Sequence, residues 1–254
     1  MPRCAVAPPV REIAGERTST LGQAIGKQIS QTRKAEADRI LQQGVSQYKD
    51  RRFRAALQLW KQALLIYRET DSKSGEGVVL NNISEAYRRL GESSQALEVY
   101  EQALAIFQEI GNGSGEGIAL NKMGLIYRSL GESSKALESF EQTLAIAREI
   151  DNRFEEGVAL NNIGSVYDHL GEFSKALEFY EQALAIRREV DDRSGEGMTL
   201  NNLGTVYAYL GDDSKASAFF EKALAIFREI GDDDKEKLTL DNIRAVSQNI
   251  SASP

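Results

Sequence analysis

Proline is nearly absent from this chain. Of 254 residues only four are proline, Pro2, Pro8, Pro9 and Pro254, all near the ends. From Val10 to Ser253 every residue keeps its backbone donor, so nothing there blocks a helix by that route. Cysteine is scarcer. Cys4 stands alone, which excludes an internal disulfide. His169 is the one histidine, with no second histidine or useful cysteine to join it in a metal or catalytic set. Apolar runs of about 18 residues are missing, so no transmembrane helix is expected. The opening MPRCAVAPPVREIAGERTST is interrupted by Pro8, Pro9 and Arg11 and does not read as a secretory signal. An excess of positive charge is lacking too: the net charge is -7. Nucleic-acid binding draws on a basic surface that releases counterions from phosphates, so nucleic acid and membrane are not expected partners. Together these features point to the cytoplasm.

What the chain has is repetition. GVVLNNISEAYRRLGESSQALEVYEQALAIFQEI starts at Gly77, and near-copies start at Gly117, Gly157 and Gly197, each 40 residues on without insertion. A period of that size marks stacked supersecondary units. Each unit splits into two helical halves. In one copy Leu160, Ile163, Val166 and Tyr167 share a helical face that Leu170 continues, and Gly171 follows as a stop. Ser174 is a plausible N-cap for the second half, whose apolar stripe is Ala176, Leu177, Tyr180, Leu184, Ile186 and Val190. Gly124, Gly164 and Gly204 recur inside first helices and Ala96, Ala136, Ala176 and Ala216 inside second ones. A glycine inside a helix costs about 1 kcal/mol against alanine, so its repetition implies a close crossing; Ser84 holds that place in the copy at Gly77.

A weaker unit starts at Ala37, with Gly44, Ala56 and Ala63 in register but no asparagine pair. Leu238, Leu240, Ile243 and Val246 form one more helix, read as a cap. The expected organisation is a mobile tail over 1–34, an array over 35–250 with repeats from near 37, 77, 117, 157 and 197 and a capping helix over 237–250, and a short tail over 251–254.

The motif carried by Leu160, Gly164, Tyr167, Ala176, Tyr180 and Ala183 resembles the tetratricopeptide repeat family. The unit is 40 residues rather than the common 34 and lacks the closing proline, which is similar to the kinesin-light-chain-like subgroup and to bacterial regulatory arrays. The resemblance covers about residues 35–250. It implies an all-α, right-handed superhelical solenoid whose first helices line a groove for a peptide or helix of another protein. Function is not implied as strongly as fold, because one fold hosts many sites.

Asn81-Asn82, Asn121-Lys122, Asn161-Asn162, Asn201-Asn202 and Asp241-Asn242 recur in register. A side-chain amide donates and accepts, so a row of them can hold a peptide backbone. In the resembled subgroup the second member of each pair does this, which carries the role to Asn82, Asn162, Asn202 and Asn242; Lys122 interrupts the row or selects an acidic group. The alternative is that these amides bind neighbouring helices and set the repeat spacing, the favoured reading for the first member of each pair. One turn on, the copies vary. Arg88, Arg89 and Arg128 would form a basic end suited to carboxylates, although Glu85 and Arg89 also make an ordinary i,i+4 pair. Tyr209 is an aromatic anchor candidate. Glu101, Glu141, Glu181 and Glu221 read as a solvated face. Gly111, Gly113, Gly115 and Gly117 follow no strand and lack a Gly-Lys-Ser/Thr ending, so no nucleotide loop is expected. Asp232, Asp233 and Asp234 lack calcium-loop spacing and suit a helix start.

These readings converge on a non-catalytic adaptor for a protein or peptide partner, with no metal and no cofactor. A monomer is expected. The alternatives are a receptor for a short signalling peptide, a self-assembling solenoid, and an enzyme of unfamiliar type, against which the lack of a clustered catalytic set argues. The chain is a stand-alone adaptor or a piece of a larger protein.

Overall fold

In the computed structural model the backbone is described for residues 10–252 and side chains for residues 25–248. Among these residues there are eleven helices and no strand: α1 Val10–Lys49, α2 Phe53–Glu69, α3 Lys73–Arg89, α4 Ser93–Glu109, α5 Gly113–Ser129, α6 Ser133–Glu149, α7 Arg153–His169, α8 Phe173–Glu189, α9 Arg193–Tyr209, α10 Asp213–Ile230 and α11 Asp233–Ala252. They form two compact units, one through Ile106 and one from Phe107. In the first, α1 packs on α2 and α2 on α3; in the second, α5 to α11 pack in series. This is the all-helical hairpin-repeat architecture expected from the 40-residue period.

Every turn ends its helix the same way. The residue after the cap, or at α10 the cap Gly231 itself, takes a left-handed conformation, and the next amide reaches five residues back. Glu92 N–H donates to Tyr87 C=O at 2.9 Å and Glu172 N–H to Tyr167 C=O at 2.9 Å. Glycine fills the left-handed place at Gly91, Gly131, Gly171 and Gly211, and Arg51 fills it after α1 with φ 60°. The N-cap of α8 is Glu172, which makes no side-chain cap bond. That corrects the expectation for Ser174, which lies inside the helix because the left-handed Gly171 lets the chain turn two residues sooner. Side-chain caps occur elsewhere: Asn112 and Asn152 accept from the amides of Gly115 and Glu155 at 3.0 and 3.1 Å, and Asp212, in the register of Glu172, accepts from Lys215 N–H at 3.1 Å. The Asp triplet behaves likewise: Asp232 accepts from Lys235 N–H at 3.1 Å and Asp233 and Asp234 open α11.

The repeated glycine sites have a steric cause. A Cβ on Gly44 would lie 2.2 Å from the Trp60 ring, and on Gly124, Gly164 or Gly204 it would lie 2.6–2.8 Å from Phe140, Tyr180 or Phe220. In these four hairpins the second helix thus presses an aromatic ring onto the first helix. Burying a ring of that size stabilises by about 2–3 kcal/mol, enough to offset the glycine. A second slot of this kind pairs Tyr67 with Gly75 and Phe107 with Gly115. The Gly113-Ser114-Gly115-Glu116-Gly117 stretch is therefore helix, in the first turns of α5, with Gly111 alone in the turn.

Buried glutamates tie successive helices together. Glu156 takes Arg148 at 2.8 Å and also Arg153, whose guanidinium forks onto Glu189 at 3.1 and 2.6 Å. Glu196 takes Arg188 and Arg193 in the same way, with Arg193 reaching Glu229. In the first unit Arg68 meets Glu76 at 2.7 Å.

The tail expected over 1–34 is already helical from Val10; residues 1–9 lie outside the described residues. Ile25 and Ile29 are exposed, and the first fully buried side chain among the described residues is Ala37. Arg33 bridges to Glu69 at 2.6 Å.

Candidate peptide-binding surface

In the second unit the asparagines form a continuous row. Asn162 donates from Nδ2 to Asn121 Oδ1 at 2.8 Å, Asn202 to Asn161 at 3.2 Å and Asn242 to Asn201 at 3.1 Å. Thr199 and Thr239 hydroxyls lie 3.1 and 3.3 Å from the same Asn161 and Asn201 oxygens and share their single proton with the Gly195 and Lys235 carbonyls at 2.9 and 2.8 Å. Asn121, Asn161 and Asn201 are thus acceptors that tie neighbouring helices together, and Asn162, Asn202 and Asn242 each spend one N–H on them; the Asn81 oxygen, in the first unit, is buried without a hydrogen-bond partner. A primary amide has a second N–H and an acceptor oxygen. Asn162 is buried, while Asn202 and Asn242 are half-buried. Asn161, Asn201 and Asn202 line a cavity of about 250 Å3 with Met198 and Leu238. Those two belong to an apolar register that includes the exposed Ile118, and Leu238, expected only as part of the capping stripe, also lines this cavity. In the first unit Asn82 is half-buried and Val78 is the exposed apolar member.

Lys122 is half-buried where the other pairs carry asparagine. Burial pushes the Glu155 carboxyl above its usual range, and the charges of Lys122 and Arg187 work against that rise. Neither Glu155 nor Arg187 stood out from the sequence alone. The signal was in the register: Glu155 stands where other copies have Gly75, Gly115 and Gly195, and Ala147 and Arg187 stand in the slot of Tyr67, Phe107 and Phe227. Large and small residues are exchanged at Ala147 and Glu155. Arg187 is 4% exposed, pairs with Asp192, and lies over the Phe154 ring at 5.5 Å.

The variable positions gather at the turn ends of the first helices. Arg128 donates to Ser165 Oγ at 2.7 Å. Ser165, Asp168, His169, Phe173, Thr205 and Tyr209 surround a cavity of about 380 Å3. Phe173 and Tyr209 stack with centroids 5.8 Å apart, leaving Tyr209 69% exposed. Burial holds the Asp168 carboxyl above its usual range, with His169 opposing.

In the first unit Glu85 is the hub. It accepts from Arg88 at 2.6 and 2.7 Å, from Arg89 at 3.0 Å and from the Tyr48 hydroxyl at 2.7 Å. Burial and that carboxylate push the Tyr48 phenol above its usual value. The arginines expected to form a basic end are therefore largely spoken for. Glu101, Glu141, Glu181 and Glu221 are exposed, as a solvated face requires. Among the described residues no cluster of three His, Cys, Asp or Glu could hold a metal, and no helix is long and apolar enough to cross a membrane.

The family model of the tetratricopeptide repeat matches residues 35–109, 78–149, 115–189 and 155–229. No curated protein sequence matches the chain. Among solved structures, that of BtubC (BKLC) from P. vanneervenii is 24% identical with a TM-score of 0.72, over 89% of this chain and 93% of that one. The apo form of RapI is 20% identical with a TM-score of 0.74, over 85% and 84%. A Rap protein complexed with competence and sporulation factor is 17% identical with a TM-score of 0.69, over 84% of this chain and 63% of that one. At these identities the likeness is one of fold.

Proposed function

Because this chain belongs to the tetratricopeptide repeat family, we propose that it is a non-catalytic protein-interaction scaffold whose first helices bind an extended or helical peptide of a partner protein. The observation that carries this reading is the half-buried Asn202 and Asn242, each with one N–H bound inside the protein; a primary amide has a second N–H, which this reading assigns to the ligand. Met198 and Leu238 beside them offer apolar contact to alternate ligand side chains. Asn82, Asn162 and Lys122 continue the row, with Arg88, Arg89 and Arg128 as polar readers and Tyr209 as aromatic anchor. In this assignment Asn162, being buried, acts mainly by fixing the spacing of its neighbours. Ligand ordering opposes binding, so the affinity is expected near micromolar, about -8 kcal/mol. The scaffold acts as a monomer in the cytoplasm.

The test is a display of random peptides five to twenty residues long, which reads ligand length directly and so separates a short signalling peptide from a longer segment. Selected peptides are titrated against wild type and Asn202→Ala/Asn242→Ala, with helicity followed by circular dichroism. A folded double variant that loses about tenfold or more in affinity supports the amide row. Undiminished binding by that variant removes the row from the site, and no selected peptide at all removes the reading.

A further inference from the structure

The turn after α1 carries a feature that the other repeats lack. Its left-handed residue is Arg51, at φ 60°, where Gly91, Gly131, Gly171 and Gly211 stand in the same register. Side chains rarely adopt this conformation, and backbone strain of this kind concentrates at ligand clamps and switches. The left-handed Asp71, Asp151 and Asp191 at the other turns belong to a residue type that tolerates it. Arginine has no such excuse, and the glycines show that the turn itself does not require one.

The strained arginine lines a cavity of about 460 Å3 with Tyr48, Lys49, Phe53 and Arg89. Phe53 opens α2, and its ring lies 5.2 Å from that of Tyr48. Arg89 is occupied by Glu85 and Tyr48. Asp50, the acid nearest in sequence, pairs with Arg52 at 3.3 Å. Lys49 and Arg51 form no salt bridge among the described residues and are exposed. Two free cations therefore face an aromatic-walled cavity on a chain whose net charge is -7.

We propose that this cavity in the first unit takes the carboxylate of an acidic side chain from a peptide ligand, with Arg51 and Lys49 as its cations and Tyr48 and Phe53 as its wall. The proposal rests on the reading of the chain as a peptide-binding scaffold and names the chemistry of one ligand position. A guanidinium fork matches a carboxylate, and the rings pack the methylenes that carry it. Two free cations suit one or two carboxylates. A nucleic acid needs neutralisation of several phosphates along its length, which the rest of this acidic chain does not provide. The register-equivalent cavity of the second unit shows that the shape is separable from the charge: there Asp168, His169, Gly171, Phe173 and Tyr209 replace Tyr48, Lys49, Arg51, Phe53 and Arg89.

The test uses the full chain and two probes, a fluorescein-labelled peptide alternating Glu and Leu and its Gln–Leu counterpart, with arginine Nε–H resonances followed by NMR. The Glu peptide is expected to shift the Arg51 resonance and to bind more tightly than the Gln peptide. Arg51→Gly should reduce that preference about fivefold or more. The same substitution should raise Tm by about one to three degrees, because the strain is released. Binding and stability thus move in opposite directions. Arg51→Gly that keeps the preference for Glu overturns the proposal. So does a lowered Tm, and so does a short single-stranded oligonucleotide or inorganic phosphate that shifts the same resonances at lower concentration. If wild type binds neither peptide while fully helical, the scaffold reading fails with it. If Asn202→Ala/Asn242→Ala weakens both peptides while Arg51→Gly weakens neither, only the carboxylate assignment falls.

Discussion

Two arginines break the 40-residue pattern, one in each unit, and they break it in opposite ways. Arg51 replaces a glycine on a strained turn, keeps its charge in water and forms no salt bridge among the described residues. Arg187 replaces an aromatic on a relaxed helix, is 4% exposed and depends on Asp192. Its Nε is buried without a hydrogen-bond partner. A repeat tolerates a misplaced charge either by leaving it to solvent at a backbone cost or by burying it with a counter-ion at a desolvation cost. The exposed arginine is free to meet a ligand; the buried one is committed to the fold.

The largest expected effect lies on the buried side. Asp192→Ala removes the counter-ion and also the cap on Gly195 N–H, made at 2.9 Å. About 3–5 kcal/mol should be lost, read from urea unfolding. Arg187→Phe restores the aromatic of the other copies against Gly195 and should be neutral or stabilising; a large loss would mean that the ion pair itself orders the fourth repeat.

Next comes the ring-on-glycine packing. Gly204→Ala puts a Cβ 2.7 Å from Phe220 and should cost about 1–3 kcal/mol. Gly211→Ala, in the adjoining turn with open space around it, meets only backbone strain of about 1 kcal/mol. A reversal of that order would refute the close-approach account.

Asn162→Ala strands the buried Asn121 amide and should cost about 1–2 kcal/mol. Asn202→Ala, half-buried, should cost less, so thermal melts of the two separate a spacing role from a ligand role.

The smallest effect concerns Asp168. Its carboxyl is raised by burial, so the folded state holds its proton more tightly than the unfolded chain does. That contribution lowers stability as pH rises from the ordinary carboxylate range through the raised value, and is absent below both. Asp168→Asn should therefore raise Tm slightly near neutrality, with the gain vanishing in acid. A gain independent of pH would point to a cause other than the charge.

The fold was legible because its signal is redundant: period, apolar stripes, helix-stop glycines and small residues all recur in register. The front of α1 was not, since apolar periodicity reports burial rather than helix, and a helix with Ile25 and Ile29 in solvent has no stripe to show. The asparagine row was legible as a row. Which partner each amide takes was not, because one residue pair serves equally well for a ligand or for the neighbouring helix. Ser174 was misjudged as a cap because capping preference is a local rule and the left-handed glycine acts first.

By itself the sequence determined the helical hairpins, their number and their stacking register, since these follow from local periodicity repeated at a constant interval. It also held the departures from that interval, at Arg51, Glu155 and Arg187. Tertiary structure decided what those departures mean. Whether an arginine is strained and free or buried and paired depends on the backbone angle it inherits and on which side chains the neighbouring helices bring within reach, and neither is encoded at the residue itself.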